Sequence, residues 1–224
     1  MRRVFGLYSN SVGKKISMAV TGIVLFGFVF VHMIGNLKIF EGPEKYDAYA
    51  HFLRTVGAPA LGEGQALWIF RIVLLAAVGV HVLAAAQLTL QSWRARGTPY
   101  KVKKDLSFDY ASRTMRWGGV ILAAFVIYHL MHLTFGTAHH DFSDSVYRNV
   151  VSGFQRWPVS LAYIVAMVPL ALHVYHGLWS ATQTLALDNP RIEPWRRPVA
   201  AGIALVLAAG NVSMPVAVMA GIVK

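Results

Sequence analysis

The chain contains no cysteine and only 10 acidic residues among 224. Without a thiol it forms no disulfide, holds no metal through thiolates and ligates no iron–sulfur cluster of its own. Charge is scarce as a whole: Asp, Glu, Lys and Arg make up 14% of the residues, against roughly 25% in a soluble domain. No dinucleotide-binding G-x-G-x-x-G fingerprint is present. Asp and Glu are also missing from every long apolar run, which excludes a carboxylate relay built into those runs and leaves water and histidine as proton carriers.

What is abundant is apolar surface, at 56% of positions. Five runs, over residues 16–38, 66–92, 115–137, 157–185 and 198–223, each reach the about 20 residues that a helix needs to cross a hydrocarbon core of about 30 Å. The expected fold is therefore an all-α membrane protein with five transmembrane helices, a single integral membrane domain over residues 1–224. Arg2 and Arg3 ahead of the first run resemble the start of a signal peptide, but the run is too long and lacks a small-residue cleavage site, so it reads as a permanent span.

The net charge of +11 follows topology rather than a nucleic-acid surface. Arg2, Arg3, Lys14 and Lys15 precede span one; Arg94, Arg96, Lys101, Lys103, Lys104, Arg113 and Arg116 follow span two; Arg191, Arg196 and Arg197 follow span four. These are 14 of the 21 basic residues, all on one side, which the positive-inside rule makes cytoplasmic together with the N-terminus. The C-terminus then lies outside, in a bacterial-type inner membrane. The basic segment from Arg94 to Arg116 has two readings, a topology determinant and a docking surface for a soluble partner.

Ser9, Asn10 and Ser11 are the candidate caps for a first helix beginning near Gly13. Two outer loops carry apolar residues at helical spacing: Tyr46, Tyr49, Phe52, Leu53 and Val56 in one, Val146, Tyr147, Val150, Val151 and Phe154 in the other. Both predict amphipathic helices over the outer mouth of the bundle. His139, His140, Asp141 and Asp144 in the second loop can be read as a metal site or as an incidental solvated cluster. Pro169 is expected to kink span four, and span five, without histidine, reads as scaffold.

Histidine carries the chemistry. The run from Gly22 to His32 recurs from Gly119 to His129, with Phe125 in the place of Phe28, and two further spans hold His81 and His173. An imidazole in hydrocarbon is costly without a partner, so four in four successive spans form a functional constellation. His32 and His129 lie roughly 22 Å above the cytoplasmic end of their helices and His81 and His173 roughly 15 to 18 Å, at 1.5 Å per residue. The four therefore form two pairs at two levels, a layout satisfied by two bis-imidazole haems stacked across a four-helix bundle. His132 and His176 stand one turn nearer the surface than His129 and His173 and suit propionate or structural hydrogen bonding. Lys14, Lys15, Ser17, Arg113 and Arg116 are candidate inner propionate partners and Arg71 an outer one. Gly22 and Gly27 permit close helix packing or leave room for a flat cofactor.

Ser11-Val12-Gly13-Lys14-Lys15, His32-Met33-Ile34-Gly35-Asn36-Leu37, Ala50-His51-Phe52, Arg116-Trp117-Gly118-Gly119-Val120 and His173-Val174-Tyr175-His176-Gly177-Leu178-Trp179-Ser180 resemble the cytochrome b subunit of succinate dehydrogenases and fumarate reductases, of the single-chain, five-helix, dihaem type. The resemblance spans nearly the whole chain. It implies haem b ligation by His32 and His129 on the haem farther from the soluble subunits and by His81 and His173 on the nearer one. It further implies a membrane anchor for a flavoprotein and an iron–sulfur subunit, passing electrons between succinate oxidation and quinone, usually menaquinone. Succinate chemistry itself cannot reside in this chain. Glu63, Gln65, His51 and Arg71, near the outer pair, are candidates for holding or protonating quinone, or are simply interfacial. Two other readings compete: the quinol-oxidising dihaem subunit of a nitrate reductase or hydrogenase, and a haem-free membrane protein whose histidines relay protons.

Overall fold

In the computed structural model the described residues are 8, 10–95, 110–187 and 189–224, with side chains described from Thr114 onward in the fourth helix. Arg2, Arg3, Arg96, Lys101, Lys103 and Lys104 lie outside the described residues, as does the side chain of Arg113. The described chain is helical without strands, at 81% helix.

Asn10 starts helix α1, Ser11–Asn36, by accepting the Gly13 N–H at 2.7 Å. A side-chain oxygen at that position supplies one of the partners that the first turn of a helix lacks. A 3-10 turn, Leu37–Glu41, leads to Gly42, whose φ of 96° suits glycine and introduces α2, Pro43–Thr55, with proline in the first turn. Helix α3, Gln65–Arg94, follows Gly64 at φ 75°. Helix α4 is Tyr110–Leu133 and α5 is Val146–Gln155, capped by Ser145. Arg156 alone, extended, separates α5 from α6, Trp157–Thr184; α7 is Glu193–Met219.

Five of these helices, α1, α3, α4, α6 and α7, are long and apolar enough to cross a membrane. At most 33% of the most apolar window of any of them is buried inside the protein. Trp68, Ile69, Ile72 and Leu75 on α3 and Val120 and Ile127 on α4 all stay exposed. Such apolar surface is stable only against hydrocarbon, and closed backbone hydrogen bonding within each helix makes that environment tolerable. The chain is a multi-pass helical membrane protein.

Packing follows a simple order. Helix α1 lies against α3, α4 against α6, α1 against α6, and α7 against α6 and α1. Met33, Val174, Ala204 and Leu207 form the core between α1, α6 and α7. Gly210 makes it possible, because a Cβ there would overlap the Met33 side chain.

Both predicted amphipathic helices form, and together they close one end of the bundle, here called the cap end. Ile39, Tyr46, Tyr147, Val150, Val151 and Phe154 pack with Tyr163 and with Met214, Ala217 and Val218 near the end of α7. Asp47 of α2 ties the two together: it accepts from the Ser145 hydroxyl at 2.6 Å and from the Tyr147 N–H at 2.9 Å. The Tyr147 hydroxyl donates to the carbonyl of Lys224 at 2.9 Å. Tyr46 donates to Asn36 at the end of α1, and burial together with the neighbouring Asp47 carboxylate raises its phenol above the usual range.

Candidate functional site

Four helices each deliver one histidine to the space between them. His32 on α1 and His129 on α4 have ring centroids 5.9 Å apart at an interplanar angle of 86°. His81 on α3 and His173 on α6 have centroids 6.1 Å apart at 56°. The sequence pairing by depth thus brings together the expected partners. Neither α1 with α4 nor α3 with α6 is among the close packing partners, so the imidazoles meet across the diagonals of the bundle while the backbones stand apart.

The repeat noted in the sequence is a structural repeat. One turn before each histidine of the first pair stands a phenylalanine: Phe28 stacks on His32 at 5.3 Å, and Phe125 lies 6.1 Å from His129. Positions i and i+4 share a helix face, which is why the aromatic reaches the imidazole. The repeated glycines each face the histidine of the neighbouring helix. A Cβ at Gly22 would stand 3.2 Å from Cε1 of His81, and one at Gly119 would stand 3.9 Å from Cε1 of His173. Gly27, by contrast, has nothing within 4 Å of where a Cβ would be.

Hydrogen bonding fixes the tautomer of His81. Its Nδ1 lies 3.0 Å from the Met18 carbonyl oxygen and 3.3 Å from Thr21 Oγ1. A carbonyl only accepts, and the Thr21 hydroxyl already donates to the Ser17 carbonyl at 2.7 Å. His81 therefore carries its proton on Nδ1 and presents a bare Nε2. A backbone carbonyl behind the remote nitrogen is the usual device for orienting a metal-ligating histidine. His129 Nδ1 contacts the Tyr163 hydroxyl at 3.2 Å, while Nδ1 of His173 is buried without a hydrogen-bond partner among the described residues.

Two imidazoles bound to opposite faces of one metal ion, each by a bond of about 2 Å, would have ring centres about 6 Å apart. The observed separations of 5.9 and 6.1 Å, also within the ordinary range for neighbouring rings, leave room for that arrangement in both pairs. The donor set, two imidazoles per pair with phenylalanines beside the first pair and glycines beside the second, suits a flat metallated macrocycle. It does not suit a bare ion, which needs further protein ligands.

The remaining predicted residues fall in different places. His132 is 1% exposed and its Nδ1 lies 3.0 Å from the Tyr163 hydroxyl, so its role is structural hydrogen bonding. His176 packs its ring 5.0 Å from Trp179. Lys14 and Ser17 are half-buried near the start of α1 and Lys15 is exposed; Arg116 lies over the Trp93 ring at 5.6 Å, at the same, basic end of the bundle. Arg71 lies over Trp68 at 4.9 Å. His51, Glu63, Gln65 and Arg71 are exposed, and no hydrogen bond or ion pair joins them to one another. Gln65 instead accepts the Gly62 N–H at 3.0 Å, shaping the turn into α3. His139 has both ring nitrogens engaged, Nε2 with the Asn149 carbonyl at 2.8 Å and Nδ1 with the Asp141 N–H at 3.0 Å. It is a clamp on α5 and has no free lone pair for a metal.

Sequence reasoning missed Tyr163, Thr21 and the Met18 carbonyl. Tyr163 stands six residues from the cap end of α6 and His129 four from that end of α4, which brings the two to neighbouring depths.

Comparison of the chain with protein-family models, curated proteins and solved structures returned no match.

Proposed function

We propose that this chain is the dihaem cytochrome b membrane anchor of a succinate:quinone oxidoreductase, carrying electrons between an iron–sulfur subunit and membrane quinone. The observation that carries the reading is the meeting of four histidines from four helices in two facing pairs with the spacing of axial ligands. The pattern of one paired histidine from each of four successive spans, together with the sequence resemblance, favours the succinate dehydrogenase type over other quinone-linked cytochromes.

In this reading the basic end of the bundle faces the cytoplasm and the cap end faces outward, with the N-terminus inside. His81 and His173 hold the inner haem b, and His32 and His129 the outer one. Each haem, when bound, supplies one-electron redox chemistry. The chain's own residues hold and insulate it: Met18 and Thr21 orient His81, Tyr163 engages His129, and Phe28 and Phe125 flank the outer pair. Lys14, Lys15, Ser17, Arg113 and Arg116 are the inner propionate candidates, with His176 near the inner pair, and Arg71 is the outer one; His132 takes the structural hydrogen bond to Tyr163 instead. Quinone is bound on the outer side, where His51, Glu63, Gln65 and Arg71 are the candidate contacts and proton donors. The flavoprotein and iron–sulfur subunits dock on the cytoplasmic loops.

Affinity purification of the tagged chain from its native membrane tests the assignment. The expected outcome is co-purification of a flavoprotein and an iron–sulfur protein with succinate-reducible haem absorption. A haem-containing preparation with other partners and no response to succinate would reject the succinate assignment.

A further inference from the structure

Tyr163 sits between two imidazoles and has one proton to give. Its hydroxyl lies 3.2 Å from Nδ1 of His129 and 3.0 Å from Nδ1 of His132. A phenol donates a single hydrogen bond, so at most one of the two nitrogens accepts from Tyr163 and the other donates to it; among the described residues the hydroxyl has no third partner, so its proton goes to one of these two nitrogens. The function proposed above decides which, and the inference rests on it. A histidine that ligates through Nε2 carries its proton on Nδ1, so His129 donates to the Tyr163 oxygen. Tyr163 then donates to Nδ1 of His132, and His132 is the Nε2–H tautomer.

The chain of contacts continues to the cap. His132 is sandwiched between Tyr128, with centroids 5.6 Å apart and planes at 5°, and His139, at 4.8 Å and 19°. Gly153 of α5 leaves room for it: a Cβ there would stand 2.8 Å from Cε1 of His132 and 3.1 Å from Nε2 of His139. His139 accepts from the Asp141 N–H on Nδ1 and so must donate from Nε2 to the Asn149 carbonyl of α5. Tyr163 itself is held by Phe125 at 5.1 Å and Phe154 at 4.9 Å. His129, Tyr163, His132 and His139 thereby each have an assigned hydrogen-bond direction, and helix α5 of the cap backs the last three through Phe154, Gly153 and Asn149.

We infer that Tyr163 is the positioning residue of the cap-end histidine pair, accepting the Nδ1 proton of His129 and passing its own hydroxyl proton into a hydrogen bond to His132. The arrangement has an electronic consequence. A hydrogen-bond acceptor behind a ligating imidazole raises its basicity and favours the oxidised metal. An oxygen that is itself donating onward is a better acceptor, so His132 strengthens the effect. His81 donates chiefly to a backbone carbonyl, which no side-chain change can remove, with the Thr21 hydroxyl farther off at 3.3 Å; at the cap-end pair the acceptor is itself a replaceable hydroxyl.

The test uses the full chain with its haems. Tyr163→Phe keeps the ring and its packing and removes the hydroxyl alone. Redox-titrated optical spectra are expected to show one haem component moved to higher potential, the one perturbed by His129 substitution, with the other unmoved. His132→Phe, which leaves Tyr163 in place without its acceptor, is expected to move the same component in the same direction by less. Nitrogen NMR of histidine-labelled protein reads the hydrogen bond directly: His132 is expected as the Nε2–H tautomer and to lose its single-tautomer signature in Tyr163→Phe. Equal movement of both components, no movement of either, or a His132 signal indifferent to Tyr163→Phe would overturn the inference. A chain that binds no haem would instead sink the proposed function, and the response of His132 to Tyr163→Phe would still decide whether the hydrogen bond exists.

Discussion

Asp47 is the residue on which the cap depends. It is half-buried and accepts two hydrogen bonds from the segment that begins α5, one from the Ser145 hydroxyl and one from the Tyr147 N–H. Bonds to a charged acceptor contribute about 1.5 to 3 kcal/mol each, less when water can replace them. Asp47→Ala is expected to destabilise the folded protein by about 2 kcal/mol, lowering the thermal midpoint in detergent and exposing the α2–α5 loops to proteolysis. An unchanged midpoint would remove Asp47 from the account of the cap. Asp141 plays a smaller part in the same region. The hydrogen bond from Arg148 at 2.9 Å, aided by its charge, holds the Asp141 carboxyl below the usual range. A carboxyl lowered on folding stabilises the fold above its unfolded value and loses that contribution as pH falls through the folded one. The stability difference between the wild type and Asp141→Asn should therefore be present at neutral pH, small because the pair is exposed, and vanish in acid; a difference that grows in acid would contradict the sign. At this scale the sequence was most legible where burial is costly. Four imidazoles in apolar runs announced themselves, whereas Tyr163 did not, because tyrosine is ordinary near a membrane surface and its partners come from another helix.

Helices were legible as elements and less so at their ends. The expected spans 66–92 and 157–185 meet helices Gln65–Arg94 and Trp157–Thr184 within two residues. Span one begins earlier than the apolar run, at Ser11, because the helix is set by the Asn10 cap and not by hydrophobicity. Helix α4 stops at Leu133, short of the expected residue 137; Gly136 takes φ 72° and Phe142 packs where its Cβ would be, turning the chain toward the cap. Pro169 and Pro215 lie inside continuous helices. The interlocking of elements was not legible at all, since it requires knowing which glycine faces which histidine. Gly22→Ala puts a Cβ 3.2 Å from His81, tighter than a normal contact, so the imidazole must shift. Overpacking of this kind costs about 1 to 3 kcal/mol. The expected result is loss or broadening of the haem component assigned to His81 and His173, with the other component preserved. Gly27→Ala, where a Cβ meets nothing from the protein within 4 Å, distinguishes open space from cofactor space: haem loss there places a cofactor against α1, and full retention places it elsewhere.

Across the whole molecule, α1 with α3 and α4 with α6 are two uses of one design: a packed helix pair in which a glycine of the first helix faces the histidine of the second, while the first helix sends its own histidine across the bundle. The sequence disclosed that repeat through the equal glycine-to-histidine intervals, and the depth of the histidines disclosed the pairing. It could not disclose that paired imidazoles belong to diagonal helices, because depth is one coordinate and the diagonal is set by the other two. Helix α7, without histidine, packs on α6 and α1 and anchors the cap through its last turn, consistent with a scaffold.

The proposed function requires each of the two imidazole pairs to hold a haem iron. Quantifying haem b by pyridine haemochrome in the purified full-length protein, against protein concentration from amino-acid analysis, tests it directly. The account predicts two haems per chain, falling to about one when His81 or His129 alone is replaced by alanine. A wild-type ratio near zero, or a ratio of one that survives removal of either histidine pair, would contradict it.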